Sequence, residues 1–119
     1  MYSGIVVKGE GVAKKFGFPT ANIDCQLKKN TKVATGVFAA ISTVEKKKYN
    51  STLIILPKGD SYKFEIHFLD FVGDLYGKYL EVDLVQKVSE IESYDSEEEL
   101  LEKIRHDVEM VKEVFSSRK

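Results

Sequence analysis

The feature that most constrains the fold of this chain is a succession of short β-type segments over its first three quarters. Apolar and β-branched residues concentrate at positions 5–7, 36–43, 49–56, 62–69 and 79–85, and each run is bounded by Gly, Asp, Lys or Pro. No helical segment interrupts these runs, so parallel β-α-β crossovers are disfavoured and the sheet should be mostly antiparallel. The pattern predicts an all-β sandwich or barrel, and a barrel would leave no exposed edge strand.

The hydrophobic period changes to that of a helix at Ser96. Apolar residues then recur at steps of three and four on one stripe, namely Leu100, Leu101, Ile104, Val108, Val111 and Phe115. Ser96 followed by Glu99 fits a capping box, and Glu97 and Glu98 suit the positive end of the helix dipole. We predict one C-terminal helix over about residues 96–116 that packs on the sheet as a scaffold, without a catalytic role.

The length and composition are those of one globular domain. The chain has 119 residues, of which 43% are apolar and 31% charged, far from the composition of disordered proteins. Its 18 basic and 19 acidic residues give a net charge of −1, whereas a nucleic-acid-binding protein usually has a basic excess. The basic run at residues 46–48 lies between two apolar segments, which is typical of a solvated hairpin tip. We therefore expect no nucleic-acid partner.

The cysteine, histidine and hydropathy patterns argue against a disulfide, a zinc site, a membrane span and a signal peptide. Cys25 is the only cysteine, so an intramolecular disulfide is excluded and a reducing compartment is the simpler assumption. His67 and His106 are far apart and fit no zinc-binding spacing. No stretch approaches the roughly 18 apolar residues of a membrane span, and the first residues lack the features of a signal peptide. We predict a cytoplasmic protein without a membrane partner.

Residues 17–23, with the sequence Gly-Phe-Pro-Thr-Ala-Asn-Ile, are predicted to form a rigid turn. Gly17 permits backbone angles closed to other residues, and Pro19 fixes its own φ and forces the preceding residue into an extended conformation. Thr20 and Asn22 are thereby presented with little freedom, and their oxygens suit Mg²⁺ that carries a polyphosphate. The alternative is an ordinary β-turn in which both side chains bond the local backbone. The residues alone leave both interpretations open.

The segment 63–69 is typical of a strand with one buried face. Its apolar and polar positions alternate, with Phe64, Ile66 and Phe68 on one side and Lys63, Glu65 and His67 on the other. Glu65 is therefore predicted to point away from the core. By itself this placement indicates only a solvated carboxylate.

Four motifs, taken in order, resemble those of the riboflavin kinase (flavokinase) family. They are Gly-Glu-Gly at 9–11 with Gly17 and the Pro-Thr-Ala-Asn run at 19–22, Gly-Val-Phe at 36–38, Glu-Ile-His at 65–67, and Asp-Leu-Tyr-Gly at 74–77. The likeness extends from Gly4 to about Val114. It implies one domain over residues 1–119, all-β with a C-terminal helix, whose closed antiparallel six-stranded Greek-key β-barrel covers about residues 1–90.

The resemblance also implies an activity and a set of roles. Riboflavin kinases transfer the γ-phosphoryl group of Mg·ATP to the ribityl 5′-hydroxyl of riboflavin, which gives FMN and ADP. By this likeness Glu65 would be the general base, and Asn22 would bracket the reacting hydroxyl and bond phosphate oxygens. Thr20 would ligate Mg²⁺, with Zn²⁺ or Mn²⁺ as alternatives, Tyr76 would contact the flavin, and His67 would flank the site. The nucleotide and its phosphates would be held by Gly9, Gly11, Lys14, Gly17, Pro19, Thr20 and Asn22.

The chain departs from the family pattern at three places. Val12 and Ala13 stand where the glycine-rich loop usually carries an arginine or a second glycine, the turn before the Glu65 strand is reduced, and Ser89 stands about where the family has an arginine. Loss of a guanidinium weakens charge complementarity with phosphate or flavin. In bifunctional flavin enzymes, FMN adenylylation resides in an N-terminal nucleotidyltransferase domain, and this chain has neither the length nor the histidine motif for it. If the chain works alone, it should stop at FMN. We also expect a monomer.

Two other functions stay open from the sequence. The first is a catalytically weak flavin- or nucleotide-binding module of the same fold, motivated by Val12, Ala13 and Ser89. The second is a small barrel that binds RNA or protein, motivated only by the basic run at residues 46–48.

Overall fold

The chain folds into six β-strands and one helix over the residues that the computed structural model describes, which are 1–7, 20–25, 27, 31–69 and 75–118. The strands are β1 Tyr2–Val7, β2 Thr20–Cys25, β3 Gly36–Val44, β4 Lys47–Lys58, β5 Ser61–Phe68 and β6 Tyr79–Ser89. The helix, α1, spans Glu97–Ser117. Within these residues, no helix is both long and apolar enough to span a bilayer.

The six strands close into a barrel in which every neighbouring pair is antiparallel. Around the barrel the order is β1-β2-β5-β4-β3-β6, and pairing of β6 with β1 completes the circle. β3, β4 and β5 follow one another as neighbours, and β6 returns to lie beside β3, which is a Greek-key arrangement. Each strand therefore has two partners and no edge is left open. The predicted closed barrel is confirmed, and the two-sheet sandwich is excluded.

The prediction of a turn over residues 17–23 is wrong for its second half, because residues from Thr20 onward form the strand β2. β2 lies between β1 and β5 and pairs with both. Ala21 and Ile23 are buried in the barrel, and they alternate with Asn22 and Asp24 on the outer face. Two buried apolar residues beside a proline give too weak a period to predict a strand. Its two neighbours in the barrel, which are distant in sequence, define β2.

The barrel interior is filled by alternate residues from all six strands. The enclosed apolar side chains include Leu53, Ile55, Phe64, Ile66, Leu80 and Val82. Tyr2 packs on Phe64 with ring centroids 4.9 Å apart. The buried hydroxyls of Ser42 and Ser51 are paired: Ser51 donates to the carbonyl of Ala40 at 3.0 Å, and its oxygen lies 2.8 Å from that of Ser42. The interior is thus a packed core, and any ligand site has to lie outside it.

A tight turn between β3 and β4 confirms the hairpin tip predicted at the basic run. Glu45 and Lys46 have φ of 50° and 68°, in the left-handed region. Two such residues in succession are typical of a type I′ turn, which matches the twist of the strands it joins. Lys47 and Lys48 already belong to β4, and both are exposed.

α1 begins where the capping box predicts. The hydroxyl of Ser96 accepts from the backbone N–H of Glu99 at 3.2 Å. The Glu99 carboxylate accepts a hydrogen bond from the N–H of Asp95. In the usual capping box the donor would be the N–H of the N-cap residue, which here is Ser96. The buried residues of the helix are Ile104, Asp107, Val108 and Val111. A carboxylate thus lies on the face that packs against the barrel, next to the apolar stripe.

Candidate active site

Asn22 and Glu65, two of the residues singled out from the sequence, are direct cross-strand partners. The register of β2 against β5 places Asn22 opposite Glu65 and Thr20 opposite His67. Side chains of directly opposed residues lie about 4.5–5.5 Å apart at their Cβ atoms and share one face of the sheet. The structure therefore brings Asn22 and Glu65 together on the outer face of the barrel. For Thr20 the described part is the backbone, which runs beside theirs.

Glu65 is held by two basic neighbours on its own strand. Its Oε1 lies 2.8 Å from Nε2 of His67, and its Oε2 lies 4.0 Å from Nζ of Lys63. His67 is 1% exposed, and the Glu65 side chain is only 16% exposed. These side chains point away from the barrel core, as the alternation predicts, but the Glu65 carboxylate is mostly buried and not solvated. The outer face of β5 is covered here by other elements of the fold.

This environment keeps Glu65 ionised at neutral pH. Burial alone raises the pKa of Glu65, but the hydrogen bond with His67 and the electrostatic attraction of His67 and Lys63 outweigh it, so that the pKa lies below its ordinary value. An ionised carboxylate only accepts hydrogen bonds, so Nε2 of His67 is the donor. Glu65 is therefore a fixed, charged proton acceptor that is partly shielded from water.

Asn22 carries a buried acceptor that the described residues leave unsatisfied. The residue is 8% exposed, and its Oδ1 has no hydrogen-bond partner in the described part of the chain. An unpaired buried acceptor costs about 1–3 kcal/mol, and such atoms call for a specific explanation. A donor or a cation on a bound ligand would satisfy this oxygen, directly opposite the carboxylate of Glu65.

The donor set suits Mg²⁺ that arrives with a phosphate ligand. Among the described residues there is no group of three or more His, Cys, Asp or Glu side chains that could hold a metal ion. Mg²⁺ keeps several waters and binds through one or two protein oxygens together with substrate phosphates. The described residues therefore offer no resident metal site, and Mg²⁺ that arrives with a nucleotide would draw most of its ligands from phosphate and water.

A cleft of about 210 Å³ separates the outer face of the barrel from α1, and Glu65 lies in its wall. Ile54 and Leu56 of β4 line one side, and Leu100 and Ile104 of the helix line the other. α1 packs on the barrel as predicted, but it also forms one wall of this cleft, which the sequence analysis missed. The lining combines these apolar side chains with charged ones, among them Lys63, Glu65 and Lys103, and small-molecule sites usually pair an apolar lining with a few polar groups.

The segment between β6 and α1 adds an aromatic side chain to the cleft. Tyr94 lines it, and its hydroxyl donates to Oε2 of Glu92 at 3.3 Å. Burial, Glu92 and Asp107 raise the pKa of Tyr94 to about 12. Tyr94 therefore stays protonated over the physiological pH range and offers a flat apolar face with a polar edge.

A buried ion pair joins the helix to the end of β6 within the same cleft. Nζ of Lys103 lies 2.8 and 2.6 Å from the two carboxylate oxygens of Asp107 and donates to the hydroxyl of Ser89 at 2.5 Å. Ser89 in turn donates to Asp107 at 2.8 Å. Ser89, which stands about where the family has an arginine, thus has the ammonium group of Lys103 beside it. A lysine and an aspartate four residues apart beside the apolar stripe are the signal that could have indicated this.

Tyr76 lies apart from the described lining of the cleft. It is 59% exposed, in a turn where Gly77 has φ of 82° and donates to the carbonyl of Val6 at 3.0 Å. Val6 precedes Val7, which pairs with Asn22. The turn is therefore anchored on β1, which neighbours the strand of Asn22 and is two barrel positions from the strand of Glu65. The flavin contact of Tyr76 stays a prediction.

The predicted phosphate-binding loop lies outside the described residues. This holds for five residues of the nucleotide set, which are Gly9, Gly11, Lys14, Gly17 and Pro19. The substituted positions Val12 and Ala13 fall in the same stretch. Of the nucleotide set, Asn22 is described fully and Thr20 through its backbone.

Sequence comparisons with known proteins agree on one family. The family model "Flavokinase: Riboflavin kinase" matches residues 1–115. The chain is 32% identical to the RNA-binding riboflavin kinase RibR of Bacillus subtilis (strain 168), covering 95% of this chain and 50% of that protein. It is 36% identical to a bifunctional riboflavin kinase/FMN adenylyltransferase of Buchnera aphidicola subsp. Schizaphis graminum, covering 96% of this chain and 38% of that one. The chain thus spans half or less of the length of these curated relatives.

Solved structures with the same fold include a riboflavin kinase. The crystal structure of riboflavin kinase from Trypanosoma brucei matches with a TM-score of 0.68 at 23% identity, over 98% of this chain and 80% of that one. A structure titled as a macrolide-efflux protein from Streptococcus pneumoniae matches with a TM-score of 0.81 at 25% identity, over 93% of this chain and 38% of that one. With the family match over nearly its whole length, the chain belongs to the riboflavin kinase (flavokinase) family.

Proposed function

We propose that this chain is an ATP-dependent riboflavin kinase, which transfers the γ-phosphoryl group of Mg·ATP to the ribityl 5′-hydroxyl of riboflavin. The observation that carries the proposal is the pairing of Asn22 with Glu65 beside an apolar cleft. Phosphoryl transfer asks a protein mainly to position the reactants and to balance charge. An ionised base, an unsatisfied amide oxygen and a cavity for a flat apolar substrate are the parts that such a site needs.

Glu65 would act as the general base. As the 5′-oxygen forms its bond to the γ-phosphorus, the hydroxyl proton passes to the Glu65 carboxylate, and the bond to the β,γ-bridging oxygen breaks with its electron pair leaving on ADP. The lowered pKa of Glu65 ensures that the acceptor is unprotonated at neutral pH. His67 would hold the carboxylate in one orientation through its 2.8 Å hydrogen bond.

Asn22 and Thr20 would organise the nucleotide. Asn22 faces Glu65 across the strand pair, so its amide would contact the reacting hydroxyl and the phosphate oxygens at once. Thr20 lies two residues earlier on β2 and would ligate the Mg²⁺ of Mg·ATP through its hydroxyl. The glycines at positions 9, 11 and 17, with Lys14 and Pro19, would hold the phosphates, and Tyr76 would contact the flavin.

Turnover of riboflavin tests the proposal. Purified protein, riboflavin and Mg·ATP should give FMN and ADP, resolved by chromatography. Glu65→Gln should lower kcat by roughly 10²–10⁴, because it removes the base but keeps the size of the side chain. Glu81→Gln is the matched control, since Glu81 lies on β6 opposite Thr43 and should leave turnover unchanged. FMN formation at the wild-type rate in the Glu65 variant would remove Glu65 from this role.

The same experiment separates the alternative, a flavin- or nucleotide-binding module with little turnover. Quenching of riboflavin fluorescence without FMN formation would select that alternative. Four further properties stay predictions. They are a monomeric state, a cytoplasmic location, a preference for Mg²⁺ over Zn²⁺ or Mn²⁺, and the absence of a nucleic-acid partner. Oligonucleotide binding that weakens steeply with salt would contradict the last of these and would point to the exposed lysines at 46–48.

A further inference from the structure

The ion pair between Lys103 and Asp107 is more buried than an ordinary helix-surface pair. The side chains of Lys103 and Asp107 are 13% and 6% exposed, whereas those of the comparable pair Lys112 and Glu109 are 54% and 68% exposed. Both Lys103 and Asp107 line the cleft that contains Glu65. Ser89, the last residue of β6, completes a triangle of hydrogen bonds with them.

A pair of this kind is poorly explained by stability alone. Desolvation of two charges offsets much of their attraction, so that apolar side chains of similar volume often stabilise a protein as well or better. Apolar contacts are non-directional, however, while hydrogen bonds from an ammonium group to a carboxylate and a hydroxyl define one geometry. The triangle therefore fixes where the second turn of α1 sits relative to β6.

The position of that turn sets the width of the cleft. Leu100 and Ile104 line the cleft from the same stretch of helix that carries Lys103. The apolar cluster between helix and barrel here is small, because among the described residues Ile104 and Val108 of the helix, with Leu100 beside them, meet only Leu69 from the barrel side. If the polar triangle were lost, this small cluster would let the helix shift, and the opposed apolar walls would no longer match a flat ligand.

We propose that Lys103, Asp107 and Ser89 form a positioning clamp that holds α1 at the distance from the barrel required for the flavin substrate. The clamp rests on the proposed kinase function, and it acts on the affinity for riboflavin, not on the transfer step. The three residues are positioning residues, since they touch one another rather than the reacting atoms.

The test uses an apolar replacement of the whole pair. Asp107→Asn alone leaves a buried ammonium without its counter-ion and can fail to fold. The deciding variant is therefore Lys103→Met with Asp107→Leu, which removes both charges and leaves apolar side chains in their place. Lys103→Arg keeps the charge and the donors. Lys112→Met with Glu109→Leu removes the exposed pair on the same helix and serves as the matched control.

Riboflavin affinity, measured by fluorescence quenching, is the main readout. In the Lys103→Met, Asp107→Leu variant we expect the Kd and the KM for riboflavin to rise about tenfold, while the KM for Mg·ATP changes less than about twofold. Thermal melting should stay at or above that of the wild type. Lys103→Arg should retain most of the affinity, and the control pair should leave every value unchanged.

Three results would overturn the clamp. They are wild-type riboflavin affinity in the apolar double variant, equal weakening of both substrates, and equal weakening in the control pair. A wild-type protein that binds riboflavin but forms no FMN would refute the proposed kinase activity, and the quenching comparison would still decide on the clamp. A wild-type protein that does not bind riboflavin would overturn both.

Discussion

At the scale of single residues, the hydrogen bond from His67 to Glu65 decides how the proposed base responds to pH. His67→Leu removes the donor and its electrostatic attraction but leaves Glu65 shielded, so burial prevails and the pKa of Glu65 rises. The acid limb of the profile of kcat/KM against pH should therefore move to higher pH. His67→Gln restores an N–H donor and should move it less. An acid limb that stays in place in the Leu variant would contradict this role for His67.

The same pair predicts how stability depends on pH. The folded-state pKa of Glu65 lies below its unfolded value, so the folded chain binds fewer protons between the two. This contribution to the free energy of unfolding is present above the unfolded pKa and is lost as pH falls through the folded pKa. In His67→Leu the folded pKa rises, and the acid-side loss should shrink or reverse. Urea unfolding of the wild type and of His67→Leu at neutral and acidic pH measures this difference in stability. An identical pH dependence in the two proteins would contradict the prediction.

At the scale of elements, the turn between β3 and β4 is strained because two residues other than glycine adopt the left-handed conformation that this turn type requires. Lys46 has φ of 68° and Glu45 has φ of 50°, although the left-handed region suits glycine or asparagine. Glu45 is paired with Lys78, so Lys46 is the position to change. Lys46→Gly should raise the free energy of unfolding by about 1 kcal/mol, because it relieves a left-handed conformation that costs a lysine roughly that much.

Lys47→Gly is the control for this prediction. Lys47 lies in β4 opposite Val44, outside the strained turn. Glycine within a strand should lower the free energy of unfolding by about 0.5–1 kcal/mol, so the two substitutions should have opposite signs. Urea unfolding of both variants decides the matter, and destabilisation by both would show that the turn is not the strained element.

At the scale of the whole molecule, closure of the barrel depends on Gly4. Gly4 lies on β1 opposite Cys25 of β2 and Leu80 of β6, so it takes part in both strand pairings of β1. A Cβ atom at this position would lie 2.3 Å from the carbonyl oxygen of Asp24. Gly4→Ala should therefore force β1 and β2 apart and cost about 3 kcal/mol in the free energy of unfolding.

Ser3→Ala, one residue earlier on the same strand, is the matched control and should change the free energy of unfolding by less than about 0.5 kcal/mol. Hydrogen exchange adds a local readout. Amides of β1 should exchange faster in Gly4→Ala than in the control, because the pairing of β1 with β2 opens before the rest of the barrel. Wild-type stability in Gly4→Ala would show that the backbone can shift at no cost.

The barrel could be predicted from local patterns, except for one strand. Alternating apolar residues predicted five strands, and Ser96 with Glu99 predicted the start of α1, because both signals come from residues adjacent in sequence. β2 was missed, since its extended form depends on pairing with β1 and β5. The predicted closeness of Asn22 and Glu65 came from family likeness, and the register supplies its physical basis.

The sequence by itself determined which residues have site chemistry and which face of each strand they occupy, because side-chain type and period are local properties. Only the tertiary structure decided that the outer face of β5 is covered, that Asn22 stands opposite Glu65, and that Lys103 of the helix lies beside Ser89. Burial and pairing of a side chain depend on elements far away in sequence. The ionised, shielded state of Glu65 follows from how the barrel and helix pack, which no local pattern encodes.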